Sequence, residues 1–302
     1  MTFYTLQSDC LEVQISDLGA RLISVLHQGF ELLYGPKTQE ELAADQCYCG
    51  AICGRVANRI AKGQCLIAGK NYQLPINNGE NHLHGGNSGF SDKIWKVVEQ
   101  SAQHLVLAYT SPDGEEGYPG ELQIQATYSL VANKLSLEMK ATCTKDSIVN
   151  LTNHAYWNLS GEASISEHQL SVAAQQFTPM VDNIPTGEIA RLTGRVHDLQ
   201  QPTRLGDKLG EGKPLPLGFD DNYCLDEQAE CAAELQAAGR RVQVLTDAPA
   251  LQVYTGYYLP DSFGGVALEA QSYPDSPNNP HFPSIEIKAG EEYQRHISWL
   301  ID

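Results

Sequence analysis

The sequence predicts an all-β protein, a sandwich or a barrel, on three observations. Apolar and polar residues alternate in period two through many short segments; Gly, Pro, Asn and Asp cluster between those segments at roughly the spacing of successive strands; and helical periodicity is scarce. With 302 residues and 42% hydrophobic content the chain can bury a sizeable core. Sandwiches and barrels of this length often form one unit. No break isolates a second core and no short-period repeat or low-complexity tract is present, so residues 1–302 are expected to be a single domain.

In chain order, Leu11–Ser16 alternates, Asp17-Leu18-Gly19-Ala20 turns, and Arg21–His27 runs on as a second strand before Gln28-Gly29 turns again. Residues 39–46 are the first plausible helical turn. Gly50 to Ile60 is less regular and holds Gly54-Arg55-Val56-Ala57-Asn58-Arg59-Ile60. A strand pair follows at Gln64–Ile67 and Lys70–Leu74, then a long Gly/Asn/His-rich loop from Asn77 to Phe90; ordered loops of that length are often functional. The strand signal is strongest from Ile94 to Met139: Leu105–Tyr109, then alternation through Leu122, Ile124, Ala126, Tyr128 and Leu130, a turn at Ala132-Asn133, and alternation back through Leu135, Leu137, Met139 and Ala141. Further on, Ser171–Ala174 and Gln176–Pro179 suggest short strands, and residues 183–217 read as surface connections. Strands follow at Gly218–Leu225, Arg241–Thr246, Leu251–Gly256, Gly265–Gln271, Pro283–Lys288 and near Ile297–Leu300.

The chemistry concentrates in Thr152-Asn153-His154-Ala155-Tyr156-Trp157-Asn158-Leu159, preceded by the strand-like Ser147–Leu151. Continued as a strand, it would put Asn150, Thr152, His154 and Tyr156 on one face. A row holding His and Tyr beside Trp suggests a concave polar site, whereas a histidine by itself more often tethers two strands. Trp157 and Tyr156 are at least as readily core residues as an aromatic wall.

Lys plus Arg number 20 against 37 Asp plus Glu, a net charge of −17, and no basic run occurs. Such a surface repels phosphate backbones and anionic membranes, which argues against nucleic-acid or membrane partners. The N-terminus has neither a basic region nor an apolar run, and no stretch approaches a membrane span, so a cytoplasmic protein is expected. The eight cysteines then read as thiols. Cys47, Cys49 and Cys53, with Cys65 beyond, do not follow the spaced pairs of a zinc site, and no metal is expected. His82 and His84 form H-x-H without a clear carboxylate ligand, which is thin support for a metal centre.

The chain resembles the aldose 1-epimerase (galactose mutarotase) family over nearly its whole length. Seven blocks carry the resemblance in family order: Gly54–Ile60, Leu83–Gly86, Gly114–Gly120, Thr152–Leu159, Gly218–Asp220, Leu251–Gly256 and Leu268–Asp275. The resemblance implies a large antiparallel β-sandwich, the galactose mutarotase-like supersandwich, with a sugar cleft on one sheet. It implies interconversion of α and β anomers of free aldohexoses such as galactose and glucose, without a cofactor, by a monomer or homodimer. By the same resemblance His154 takes the general-acid position and Glu269 the general-base position, while Asn58, Arg59, His84, Asp220 and Gln252 take sugar-binding positions. Asp221 stands where many relatives carry histidine, and Asp220 fits the motif's register.

Anomerisation suits these residue types. The ring oxygen must gain a proton as C1–O5 breaks, and the C1 hydroxyl must lose one. A histidine titrates near the working pH and a carboxylate can accept the hydroxyl proton. His84 can donate to O5 or a neighbouring hydroxyl, and Arg59 offers forked donors that grip hydroxyls or orient Glu269. Arg55 is expected to make a structural ion pair. Glu286, in the strand-like Ser284–Ile287, is the carboxylate most easily mistaken for the base. A hexose-phosphate epimerase would want more cations than Arg59 and Arg55 around the cleft. A non-catalytic carbohydrate-binding protein on the same fold would be expected to have lost one of His154, His84 and Glu269.

Overall fold

The strands that best display period two in sequence form the most regular part of the molecule. In the computed structural model, which describes Met1–Asp302, Leu122–Val131 and Lys134–Cys143 pair in continuous antiparallel register. Their alternate residues are buried and the intervening ones reach toward solvent, as a half-buried strand requires. They lie inside a nine-stranded sheet ordered Lys96–Gln100, His104–Ser111, Leu122–Val131, Lys134–Cys143, Glu292–Ile301, Arg240–Thr246, Ala233–Ala237, Gln169–Val172 and Thr203–Arg204.

A seven-stranded sheet faces it, ordered Ala190–Arg191, Ala174–Thr178, Asp220–Leu225, Ala250–Tyr254, Val266–Gln271, Tyr156–Trp157 and Leu33–Tyr34. Between the sheets lies one large core. Leu107, Ile124, Leu137 and Ile297 enter it from the first sheet, and Tyr223, Leu251, Val253 and Leu268 from the second. Trp157 and Trp299 meet across it with ring centroids 6.0 Å apart. Each fully buried aliphatic side chain contributes about 1.5–3 kcal/mol relative to exposure. An N-terminal sheet, Phe3–Gln7, Leu11–Ser16, Leu22–His27 and Phe30–Glu31, adds to this core through Leu6, Val13, Ile15 and Val25.

The one α-helix, Gln39–Ala44, lies in the stretch read as a helical turn. Thr38 and Glu41 close its first turn as a reciprocal capping box. No helix of the protein is long and apolar enough to cross a membrane. All eight cysteines are free thiols.

Three expectations need correcting. Residues 147–157 are not one strand. Ser147–Ile148 pairs with Glu286–Ile287, Thr152–Asn153 with Ile52–Cys53, and Tyr156–Trp157 with both Val266–Gln271 and Leu33–Tyr34. The segment jumps between three partners, so every residue from 147 to 159 is buried and simple alternation fails. The connection 183–217 is more than a surface wrap, because Leu192, Leu199, Leu205 and Leu209 plug into the main core. Arg55 is structural but makes no ion pair. Its guanidinium donates to the carbonyls of Pro119 and Gly120, each at 3.0 Å, and to Ser111 Oγ at 2.6 Å, satisfying a buried cation with oxygen dipoles.

Candidate active site

Register on three adjacent strands builds the floor of the site. Asn222 lies opposite Gln252, and Gln252 opposite Glu269; two residues along, Asp220 lies opposite Tyr254. Directly paired residues point to the same face. Leu251, Val253, Val266, Leu268 and Ala270 take the other face and enter the core. Asp220, Asn222, Gln252, Tyr254 and Glu269 are therefore left on the face away from the core. Asp221 points to the core side, where its carboxylate lies 3.7 Å from His197 Nε2. Two adjacent carboxylates are thus separated by the pleat.

Short strands and loops cover that polar face. Arg59–Ile60 pairs with His82–Leu83, which brings Asn58, Arg59 and His84 to one edge. The backbone N–H of Asn58 donates to His84 Nδ1 at 3.2 Å, and the His84 N–H donates to the Asn58 carbonyl at 3.1 Å. The glycine after His84 is required sterically: Gly85 has φ +90°, and a Cβ there would stand 1.8 Å from the Gly54 carbonyl oxygen. His82 points elsewhere, with Nδ1 2.8 Å from the Pro75 carbonyl and Nε2 2.7 Å from the Tyr118 hydroxyl. The H-x-H pair therefore does not converge.

The resulting pocket encloses about 320 Å³ and is lined by Asn58, Arg59, His84, His154, Asp220 and Glu269, with Tyr48, Tyr156, Tyr254, Leu83 and Leu259 as its less polar wall. Tyr258, 75% exposed, stands at the mouth and donates its backbone N–H to the Tyr254 hydroxyl at 2.8 Å. A few convergent polar groups in a partly aromatic concavity make a small-molecule site. Two other depressions lie over the Ala233–Ala237/Arg240–Thr246 hairpin and on the outer face of the nine-stranded sheet. Neither contains a buried acid–base group.

Inside the pocket, His154 Nε2 lies 3.5 Å from Glu269 Oε1, both side chains almost fully buried. The rings of His84 and His154 are 5.3 Å apart. Burial dominates the electrostatics. It lowers His154 to about 4. It also lowers His84 well below the usual imidazole value, with His154 and Arg59 adding to the effect. Burial and the nearby Asp220 push Glu269 well above the usual carboxylate range, and Arg59 opposes them. Burial therefore disfavours the charged form of both members of the His154–Glu269 pair in the sugar-free pocket. Glu269 Oε2 has no protein partner, and neither amide atom of the buried Gln271, two residues on, has one.

Arg59 donates from Nε to Asn78 Oδ1 at 3.0 Å and lies 3.8 Å from Asp220 through Nη1. It is thus directed to Asp220, not bonded to Glu269. Gln252 does not line the pocket. It lies beneath and donates to Asp220 Oδ1 at 2.6 Å, so Asp220 is gripped from two sides. Of the seven residues singled out in sequence, six converge on one concavity and Gln252 supports it from below. The sequence reading missed Tyr48, Tyr254 and Tyr258. Tyr48 stands between Cys47 and Cys49, where the cysteines drew attention, and tyrosines within strand patterns read as core.

His84, His154 and Glu269 also present ligand atoms within 4.8 Å of one another. A divalent cation would require a lone pair from each imidazole. Because Nδ1 of His84 accepts from Asn58, neutral His84 carries its proton on Nε2, leaving a donor rather than a ligand. The trio suits holding and passing protons better than holding a cation.

A desolvated acid–base pair beside hydroxyl-gripping groups, on one face of a β-supersandwich, defines a protein that handles small polyhydroxylated molecules by proton transfer. Comparison with known proteins narrows the class. The aldose 1-epimerase family description matches residues 2–299. Galactose mutarotase of Sus scrofa is 39% identical, over 99% of this chain and 93% of that protein. The aldose 1-epimerase of Escherichia coli K12 is 32% identical, over 93% and 89%. Among solved structures, an aldose epimerase homologue from C. elegans superposes with a TM-score of 0.94 at 27% identity, covering 100% of this chain and 98% of that one. The galactose 1-epimerase of Lactobacillus acidophilus gives 0.90 at 28%, covering 99% and 93%. The chain belongs to the aldose 1-epimerase family.

Proposed function

We propose that the protein is an aldose 1-epimerase that interconverts the α and β anomers of free aldohexoses such as galactose and glucose, acting as one catalytic unit over residues 1–302. The observation that carries the reading is the His154–Glu269 pair, 3.5 Å apart and buried, with His84 fixed as a neutral donor beside it.

In this reading a hexopyranose binds with O5 toward His154 and the C1 hydroxyl toward Glu269. Its oxygens hydrogen-bond both groups, which favours their charged forms, the Glu269 carboxylate and the His154 imidazolium. The His154 proton then passes to O5 as the C1–O5 bond breaks, and Glu269 takes the O1–H proton as the C1=O1 carbonyl forms. Rotation about C1–C2 presents the other carbonyl face. O5 attacks C1, its proton returns to His154, and Glu269 protonates O1 to give the opposite anomer. His84 Nε2–H supports O5 or its neighbour, while Asp220 and Arg59 accept from and donate to the remaining hydroxyls, and Asn58 holds His84 in place. Gln252 keeps Asp220 aimed. Arg59 is the one cation lining the pocket and is directed to Asp220, a poor arrangement for a phosphorylated hexose.

The test is the optical-rotation decay of freshly dissolved α-D-galactose and α-D-glucose. The protein should accelerate the decay, and His154→Ala should reduce kcat about 10²–10⁴-fold with the fold intact by circular dichroism. No acceleration of either sugar by the native protein would sink the reading.

A further inference from the structure

We propose that Tyr48 is a positioning residue for this acid–base site: its ring, driven into the pocket by a stapled loop, holds the imidazole planes of His84 and His154. The inference rests on the acid–base reading of the pocket given above.

The first observation is conformational. Tyr48 has φ +58°, a region that a bulky side chain occupies only when its surroundings impose it. The imposing group is Asp45. One of its oxygens accepts from the Cys47 N–H at 3.1 Å and the other from the Cys49 N–H at 3.0 Å, the two residues flanking Tyr48. The same carboxylate pairs with the buried guanidinium of Arg21, which also donates to the Cys49 carbonyl at 3.3 Å. The Tyr156 hydroxyl adds a bond to the Cys47 carbonyl at 3.2 Å.

The second observation is where the staple delivers the ring. Tyr48 lies 4.7 Å from the His84 ring and 6.1 Å from the His154 ring, centroid to centroid, and lines the pocket. The loop that carries it also grips the His154 backbone. Gly50 N–H donates to the His154 carbonyl at 2.9 Å, and the Gly50 carbonyl accepts from Asn153 Nδ2 at 2.7 Å. One loop therefore sets both the height of His154 and the aromatic surface against which the two imidazoles rest. A histidine ring otherwise turns about its broad terminal torsion. Proton transfer to O5 tolerates little of that freedom, since a misplacement of about 1 Å can cost about 10²-fold in rate. Tyr48 meets the two imidazoles through its ring, so a phenylalanine ring should serve.

The experiment measures kcat and KM by polarimetry for the native protein, Tyr48→Phe and Tyr48→Ala, and records long-range ¹H–¹⁵N spectra of the histidine rings. Tyr48→Ala should lower kcat roughly 10–100-fold with KM changed less than about threefold, and Tyr48→Phe should restore kcat to within about threefold. The His154 ring, whose Nδ1 has no partner, should give one spectral pattern in the native protein and in Tyr48→Phe and lose it in Tyr48→Ala, while His84 keeps the Nε2–H tautomer that Asn58 imposes. If Tyr48→Ala does not fold, Tyr48→Leu keeps the bulk without the ring and should show the same loss. A Tyr48→Ala enzyme with native kcat, a loss confined to KM, or a Tyr48→Phe as impaired as Tyr48→Ala would each overturn the proposal. The histidine spectra need no turnover. A native protein inactive on both sugars would remove the mutarotase reading, while unchanged His154 spectra in Tyr48→Ala would remove this one.

Discussion

The two large sheets obey the same period-two rule to opposite ends. In the nine-stranded sheet one face enters the core and the other meets water, so Leu122–Val131 shows buried and exposed residues in turn. In the seven-stranded sheet the Val266–Gln271 strand is buried at every residue. Val266, Leu268 and Ala270 face the core, and Glu269 and Gln271 face a second layer of short strands and loops. A polar side chain on an open face is merely solvated. Put under a lid, the same side chain loses its water and its proton affinity moves. The site is thus an ordinary sheet face that the chain afterwards covers.

The largest expected effect contrasts two glutamates. Glu269 is buried in the pocket, whereas Glu286 lies exposed on a two-residue strand with Lys288 Nζ 3.4 Å away. Glu269→Gln should lower kcat by about 10²–10⁴-fold in the rotation assay, and Glu286→Gln should leave it within about twofold. The reverse result would mean that the register placing Glu269 beside His154 does not carry the chemistry.

A smaller effect should appear on the core side of the regular sheet. Leu137 is 1% exposed and sits between Tyr128 on one neighbouring strand and Ile297 on the other. Leu137→Ala should cost about 2–5 kcal/mol in urea unfolding, with kcat of the remaining folded protein unchanged. A comparable loss of kcat would show that the two faces are less independent than the sheets suggest.

Legibility followed the same division. The strands Leu122–Val131 and Lys134–Cys143 were readable because one face is wet and the alternation survives. The stretch around His154 was read as chemically important, but its backbone was not readable, because three different partners interrupt it and every residue is buried. Phe3–Gln7 and the alanine-containing Ala233–Ala237 carry weak strand signals of their own and are set by their neighbours. The proposed acid–base pair is legible only through family motifs. Its 3.5 Å approach depends on Tyr156–Trp157 pairing with Val266–Gln271, a contact between segments more than a hundred residues apart that no local pattern encodes.

The smallest and sharpest test lies in neighbouring residues that sit on opposite faces. Asp220 opens to the pocket, with a third of its side chain accessible, whereas Asp221 is turned toward the core. Burial, and then repulsion from Asp220, raises the Asp221 carboxyl from 3.8 to about 7. A carboxyl whose folded value is raised holds its proton longer in the folded state than in the unfolded one. Stability is therefore fully present below about pH 4 and is lost as pH rises through about 7. A fully sealed carboxyl shifted this far would account for about 4 kcal/mol at ~1.4 kcal/mol per pH unit, and the residual access of Asp221 and the nearness of His197 reduce this to roughly 1–3 kcal/mol. Asp221→Asn should therefore be more stable than the native protein at pH 8 by roughly 1–3 kcal/mol, equal to it near pH 4, and unchanged in kcat. Urea unfolding at the two pH values reads the first part and the rotation assay the second. A variant that loses activity at pH 8 while gaining no stability would place Asp221 on the sugar side of the sheet and reverse the assignment of the two carboxylates.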